Sequence, residues 1–206
     1  MSPIVVDKKK KRERIFNAAL RVFSKKGFYP SRMDEIARAA DMGKGTIYEY
    51  FSGKEKLFLE LCSYFMDEFK NTCIKKVSLI SEPGQRIKEF INLSISSFEE
   101  FKDFCLVFLE IWPRIRKRKK ESPLILKMRQ IYKDYKKTLS SYIKEGITAG
   151  VFRKDLKPDR AASVILATLD GLMIRWVTDS KEFPLKGIRN VVLTIISEGI
   201  KCEVKK

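Results

Sequence analysis

The sequence of 206 residues contains no histidine. This absence excludes Ser-His-Asp triads, Cys-His dyads and zinc sites with a histidine ligand. The four cysteines, Cys62, Cys73, Cys105 and Cys202, lie 11, 32 and 97 residues apart, a spacing that suits neither a metal site nor a redox pair. We therefore expect no metal, no catalytic residue and no cofactor. The cysteines are interpreted as reduced, mostly buried apolar residues, with one exposed thiol sensor as the alternative.

Long apolar runs are also missing. The longest segments without a charge, residues 90–98 and 161–169, have nine residues each, about half of what a bilayer-crossing helix needs. We expect no membrane-spanning segment. The first residues place their positive charge after a short apolar stretch, which is the reverse of a secretory signal, so we expect a cytoplasmic protein.

Positive charge is in excess, because 43 Lys and Arg face 26 Asp and Glu, a net charge of +17. Such a field attracts nucleic acid or an anionic membrane surface. The basic run Lys8–Arg12 precedes the first predicted helix and is either a solvated terminus or an arm that reaches the minor groove or backbone of DNA. A second run, Arg114–Lys120, is either a solvated connection that caps helical carbonyls or a secondary anion site.

The apolar residues recur with helical period, and no segment shows the alternation of an exposed strand. The sequence therefore predicts an all-α fold of roughly nine helices. The first helix is predicted from the apolar stripe of Ile15 to Phe23, which lies in the stretch from Lys8 to about Lys26. The second helix is capped by Ser31 and ends near Ala40. After a third short helix, a long one extends from Lys54 to about Leu79. Proline and glycine divide the remainder into helical pieces near 84–101, 103–112, 123–148, 158–178 and 184–203.

The second and third helices, residues 33–51, have the pattern of a helix-turn-helix. Their apolar residues are predicted to pack inward: Ile36, Ala37, Ala40, Met42, Ile47, Tyr50 and Phe51. Lys44, Gly45, Thr46 and Tyr48 then face outward, and a helix with small and hydrogen-bonding residues at its N-terminus suits the major groove of DNA. Spacing alone leaves open a plain three-helix bundle with a glycine-bearing turn.

Residues 12–61 resemble the N-terminal domain of a TetR-family transcriptional repressor. The resemblance rests on F-x-x-x-G-F at 23–28, I-A-x-x-A at 36–40, G-K-G-T-I-Y-x-Y-F at 43–51 and K-E-x-L-F at 54–58. It implies a helix-turn-helix DNA-binding domain in residues 1–54 and a larger helical ligand-binding and dimerisation domain in residues 55–206. It further implies a homodimer that binds a palindromic operator on double-stranded DNA and releases it when a small molecule binds.

The resemblance also implies which residues contact DNA. Lys44, Gly45, Thr46 and Tyr48 would meet base edges and phosphates, and Tyr50 and Lys54 would clamp the flanking backbone. Ser31 and Arg32 would touch phosphate from the start of the second helix. Arg32 departs from the two threonines that the family often has there and adds a charge-assisted contact. Tyr50 stands where the family frequently has histidine, so that phosphate contact would depend on a phenol.

The C-terminal half is rich in aromatic residues at helical spacing, which usually form a core. If some line a cavity, our choice is Phe69, Phe104, Phe108, Trp112, Met173 and Trp176, with Glu110 or Arg175 as polar anchor. Such a cavity would take a lipophilic, partly flat or acyl-like effector. The last two predicted helices carry more apolar residues than one internal face requires. The resemblance to the TetR family implies that the homodimer forms through these two helices.

Together these features predict a ligand-responsive, sequence-specific DNA-binding transcriptional repressor. The alternatives are an activator or a global DNA-binding regulator of the same fold. A small α-helical enzyme using Glu110 or a thiolate is not favoured, because no acid–base constellation at motif spacing exists. A basic protein of the membrane surface is the remaining alternative. We expect that the chain is not an enzyme and has no membrane partner.

Overall fold

A computed structural model of the protein describes residues 3–115 and 123–202. Their helical segments are α1 (Pro3–Lys26), α2 (Met33–Ala39), α3 (Lys44–Tyr50), α4 (Lys54–Phe69), a π-helical segment (Lys70–Ile74), α5 (Lys75–Ser78), α6 (Pro83–Glu100), α7 (Lys102–Ile115), α8 (Pro123–Thr148), α9 (Pro158–Thr178) and α10 (Leu185–Ile200). Because α4, the π-helical segment and α5 are continuous, these residues form nine helices. No strand forms within the described ranges. The prediction of an all-α fold is confirmed.

The first helix is longer than predicted. α1 begins at Pro3, so the basic run Lys8–Arg12 lies inside the helix and not before it. Ion pairs one turn apart, Lys11 with Asp7 at 2.8 Å and Lys9 with Glu13 at 3.9 Å, offset the repulsion among the cations. The basic run is thus a helical feature, and the predicted arm would have to act as a helix.

The start of α2 also differs from the prediction. Arg32, not Ser31, occupies the N-cap position. Glu35 Oε2 accepts a hydrogen bond from the Arg32 backbone N–H at 3.0 Å, as the carboxylate of a capping box does. Ser31 is buried and its hydroxyl donates to the Gly27 carbonyl oxygen at 2.6 Å. The predicted cap at Ser31 is therefore wrong, because its hydroxyl closes the preceding loop.

α7 continues through Pro113 to Ile115, beyond the predicted end near residue 112. A proline inside a helix removes one backbone hydrogen bond, and the helix here extends past that gap. The predicted roles of the second basic run, Arg114–Lys120, fall on side chains outside the described part of the chain.

The described residues form two compact units. The first comprises the described parts of Met1–Met66 and Lys102–Ile125, and thus combines α7 with the N-terminal helices. Its side chains exposed by 2% or less include Ile15, Phe23, Ile36, Ile47, Phe51, Leu57 and Leu61. The predicted domain boundary after residue 54 lies inside this unit and stays a prediction.

The second unit comprises the described parts of Asp67–Phe101 and Leu126–Lys206. Its core includes Ile87, Phe90, Ile91, Leu139, Ile143, Phe152 and Ile165. Apolar side chains on α9 and α10 also face solvent, with exposed fractions of 65% for Val164, 46% for Ile174, 56% for Val191 and 66% for Ile195. Two helices of this unit therefore have apolar surface that the described residues leave exposed.

α9 bears on the expectation that no segment spans a membrane. By length and composition alone this helix is long and apolar enough to span a membrane. One third of its most apolar stretch of 18 residues is buried inside the protein. Buried Ile165, Leu169 and Leu172 contribute to the core of the second unit. The apolar residues of α9 therefore lie on both a buried face and an exposed face of the helix.

Candidate nucleic-acid interface

The turn between α2 and α3 brings the two helices together in a helix-turn-helix. Asp41 adopts a left-handed backbone conformation with φ of 52°, which aspartate tolerates better than most residues. The Met42 N–H donates to the Ala37 carbonyl oxygen at 3.0 Å and so satisfies the end of α2. Gly43 then caps α3. The helix-turn-helix predicted in residues 33–51 is confirmed.

The inner side of this motif packs as the sequence predicts. Ile36, Ala37, Ala40, Ile47 and Phe51 are all buried, whereas Met42 and Tyr50 are half-buried. α1 holds the end of α2 from outside, because Arg14 Nη2 donates to the Ala40 carbonyl oxygen at 2.9 Å. The apolar face and this cap together fix the orientation of α3.

The outer side of α3 presents the predicted DNA contacts. Lys44 and Gly45 are exposed, Thr46 is half-buried and 44% of Tyr48 is exposed. No heavy atom lies within 4 Å of where a Cβ would stand on Gly45, so a backbone or a base edge has room to approach it. Arg32 is also exposed. These five residues form the recognition surface.

A carboxylate restrains Lys44 in the free protein. Its ammonium donates to Asp34 Oδ2 at 3.0 Å. This hydrogen bond and the charge of Asp34 raise the pKa of Lys44 above its ordinary value, so the lysine is fully cationic at neutral pH. Asp34 thus holds a positive charge at the first residue of α3.

Lys54 points into the protein, where sequence reasoning expected a phosphate contact. Its Nζ donates to the carbonyl oxygens of Phe28 at 2.7 Å, Tyr29 at 2.7 Å and Ser31 at 2.8 Å. Burial lowers the pKa of Lys54, and the nearby charge of Glu110 opposes that shift. Since an ammonium group has three donors, these carbonyls occupy all of them. Of the predicted contacts, Ser31 and Lys54 use their polar atoms inside the protein.

Glu110, a predicted polar anchor of the ligand, lies beside the same loop. Its Oε2 accepts from the Phe28 backbone N–H at 2.8 Å. A Cβ on Gly27, whose φ is +85°, would stand 3.0 Å from Glu110 Oε1, so the carboxylate lies directly against this glycine. Sequence reasoning missed this role, because 82 positions separate the two partners and no local pattern joins them.

The other predicted ligand residues divide between the two units. In the first, Phe104 packs against Phe65 with ring centroids 4.7 Å apart and against Phe108 at 6.0 Å. In the second, Phe69 packs edge-on against Tyr135 at 5.3 Å. Trp176 is buried, Met173 is half-buried and Arg175 is exposed. The side chain of Trp112 lies outside the described part of the chain.

Three of the four cysteines are buried, as predicted, and Cys202 is exposed. Burial raises the pKa of the Cys105 thiol to about 12 and also raises the pKa of the Cys62 thiol. Burial also raises the pKa of Cys73, against the opposing hydrogen bond with Ser97. These three thiols are therefore protonated and unreactive at neutral pH.

Comparison with known proteins decides the family. Residues 15–61 match the family model for bacterial regulatory proteins of the tetR family, and residues 62–199 match that for the C-terminal region of YsiA-like protein. The chain belongs to the TetR family. The matches to TetR-family models meet near residue 61, close to the end of the resemblance found in the sequence.

Named TetR-family relatives match over nearly the whole length. The fatty acid metabolism regulator protein of Bacillus subtilis is 29% identical over 94% of this chain and 97% of its own. The transcriptional repressor DhaR of a Mycobacterium species is 24% identical over 92% and 91% of the two chains. The solved structure of FadR from Bacillus subtilis in complex with stearoyl-CoA is 25% identical, covers 91% of this chain and 98% of its own, and has a TM-score of 0.78.

The TetR-family matches settle the main functional prediction. The chain is a DNA-binding transcriptional repressor of this family that responds to a small-molecule ligand, as the sequence predicts. Its relatives are regulators and not enzymes.

Proposed function

We propose that this protein binds an inverted-repeat operator as a homodimer and releases it when a long-chain acyl thioester of coenzyme A binds. The observation that carries this proposal is the similarity to FadR from Bacillus subtilis in complex with stearoyl-CoA, which extends over 91% of the chain. A cytoplasmic location belongs to the same proposal, because the operator DNA is there.

The recognition surface is the proposed DNA contact. Exposed Lys44, Gly45 and Tyr48 on α3 would meet base edges and phosphates, Thr46 would add a hydroxyl, and Arg32 would contact phosphate from the cap of α2. Tyr50 is half-buried, and its phenol would serve the flanking backbone. We assign Ser31 and Lys54 an indirect part, since their polar atoms hold the loop that leads into α2. The proposed DNA-binding domain is residues 1–54, followed by the ligand-binding and dimerisation domain in residues 55–206.

A lipophilic effector agrees with the aromatic residues that carry the ligand prediction. Phe65, Phe104 and Phe108 form one row of rings in the first unit, and Phe69 and Tyr135 form a pair in the second. Burial raises the pKa of Tyr135 well above its ordinary value, and the nearby Cys73, Asp67 and Asp134 add to that shift. The apolar surroundings are supplied by the aromatic rings themselves. An acyl chain is the ligand class that such surroundings favour. Arg175, which is exposed, is the proposed polar anchor in place of Glu110.

The homodimer is proposed to form through α9 and α10. Val164, Val191 and Ile195 are each more than half exposed, and uncovered apolar side chains of this kind mark an association surface. A second copy of the same face would cover them in a symmetric interface. With the recognition helices on opposite sides of the twofold axis, two half-sites of an inverted repeat would be read about 34–36 Å apart.

The first experiment identifies the operator and the effector together. Duplexes bound by the purified full-length protein are selected from a random pool, and their affinity is measured by fluorescence anisotropy with stearoyl-CoA, coenzyme A or stearate added. We expect an inverted repeat, and about 5- to 150-fold weaker binding with stearoyl-CoA than with coenzyme A alone. Selection of no inverted repeat, or equal binding with all three additions, contradicts the proposal.

A second experiment tests the dimer. Val191→Glu combined with Ile195→Glu places two carboxylates on the proposed interface and is expected to give a monomer in sedimentation. Leu79→Glu is the matched control, because Leu79 is 85% exposed and lies outside α9 and α10. A monomeric wild type at micromolar concentration, or a double variant that is still a dimer, argues against this interface.

A further inference from the structure

The loop between α1 and α2, residues 27–32, is held by two charged side chains of opposite sign. Lys54, the first residue of α4, binds its carbonyl oxygens, and Glu110 of α7 binds its Phe28 N–H. The positive charge of Lys54 therefore meets the negative ends of peptide dipoles, and the negative charge of Glu110 meets a positive end. The two charges also attract each other. We call Lys54 and Glu110 the clasp.

The clasp connects α7 to the recognition surface through successive polar contacts. The Ser31 carbonyl oxygen that Lys54 binds is adjacent to Arg32, whose N–H is bound by Glu35 in the first turn of α2. Asp34, in the same turn, holds the ammonium of Lys44 at the start of α3. A shift of the loop would therefore change the position of α2 and of the lysine that faces DNA.

Glu110 contributes little apolar packing to this region. It is solvent-exposed, so its hydrogen bond to Phe28 adds only modestly to the stability of the fold. Gly27 keeps the space open, because a Cβ there would stand 3.0 Å from Glu110 Oε1. The close approach of α7 to the loop thus depends on a glycine with positive φ and on one carboxylate.

We infer that Glu110 is a positioning residue for operator binding, through which α7 sets the position of the helix-turn-helix. The inference goes beyond the DNA contacts, since Glu110 acts through the Phe28 N–H and is not one of the proposed DNA-contacting residues. α7 also carries Phe104 and Phe108, which the proposed function places near the effector. If that function is correct, a ligand-induced movement of α7 would reach the operator-binding residues through Glu110.

The test compares specific with non-specific DNA. Glu110→Ala removes the acceptor and one negative charge, Glu110→Gln keeps an acceptor oxygen, and Asp103→Asn removes a charge from an exposed position in the first turn of α7. Affinities are measured for the inverted repeat selected by the wild type and for a scrambled duplex of equal length.

We expect Glu110→Ala to bind the selected repeat about tenfold more weakly, and Glu110→Gln within about threefold of the wild type. Binding of the scrambled duplex should be unchanged or stronger, because each variant makes the protein more positive. A charge effect alone would strengthen both affinities, so a fall confined to the selected repeat can arise only from positioning. Asp103→Asn should leave the ratio of the two affinities unchanged.

Amide hydrogen exchange supplies a readout independent of DNA. In Glu110→Ala the Phe28 N–H should exchange faster, while amides in the core of α1 keep their protection and the thermal midpoint stays close to that of the wild type. An unchanged ratio of operator to scrambled affinity in Glu110→Ala overturns the inference. A wild type that ignores stearoyl-CoA contradicts the proposed function instead, and the affinity ratio still decides the role of Glu110.

Discussion

Lys54→Met separates two roles for this lysine that differ in their effects on stability and on the salt dependence of operator binding. The substitution keeps the length of the side chain and removes the three hydrogen bonds to the carbonyls of Phe28, Tyr29 and Ser31. A hydrogen bond that involves a charged group contributes about 1.5–3 kcal/mol net. The three bonds share one half-buried ammonium and are not additive, so we expect the free energy of unfolding to fall by about 2–4 kcal/mol.

A lysine that clamps phosphate would behave differently. Its removal would leave stability unchanged and would lower the slope of log affinity against log salt by about 0.9. The structure predicts the opposite combination: a clear loss of stability, weaker operator binding through the displaced loop, and an unchanged salt slope.

Urea unfolding followed by circular dichroism and operator titrations at several salt concentrations measure both quantities. Lys56→Met is the charge-matched control, since Lys56 is exposed and forms only a surface ion pair with Glu60 at 3.4 Å, worth at most about 1 kcal/mol. If Lys54→Met unfolds at the wild-type urea concentration and its salt slope falls by about one, the inward role of Lys54 is refuted.

Further predictions concern other parts of the chain. Gly146→Ala should destabilise the protein by about 1–3 kcal/mol in urea unfolding, because a Cβ would overlap the buried ring of Phe152. This loss is expected although alanine favours helices more than glycine does. Gly187→Ala is the control and should not destabilise the protein, because the space around Gly187 is open. Neutralising the exposed lysines at 8–10 with glutamine should lower the salt slope of operator binding by up to about 2.7, and an unchanged slope would leave this turn of α1 without a DNA role. In the native protein, iodoacetamide should label Cys202 rapidly and the buried thiols only after unfolding, as mass spectrometry of the peptides would reveal.

The features that local sequence determines were predictable. The face of α3 that carries Lys44, Gly45 and Tyr48 follows from the helical spacing of Ile47 and Phe51 on the other face, and both sets lie where the periodicity places them. Most helix ends could also be predicted, because proline and glycine interrupt the helical segments there. Periodicity relates neighbours one turn apart, so it determines which residues share a face.

The partners of long polar side chains were not predictable from the same information. Lys54 lies at the start of a helix near the recognition surface, and its position alone does not tell whether its ammonium turns toward phosphate or toward carbonyls 23–26 residues earlier. Glu110 is likewise one of several carboxylates of the chain. Tertiary packing selects its partner, because α7 passes beside a loop whose Phe28 N–H needs an acceptor.

The shared unit of α7 with the N-terminal helices has a consequence for engineering hybrid regulators. A fusion cut at residue 61 would keep Lys54 and Phe28 but replace the helix that carries Glu110. The foreign helix would then have to offer an acceptor at the same position, or the Phe28 N–H of the transferred helix-turn-helix would lose its hydrogen bond. A hybrid should therefore transfer α7 together with the first 66 residues. Alternatively, a glutamate can be introduced at the corresponding turn of the recipient helix.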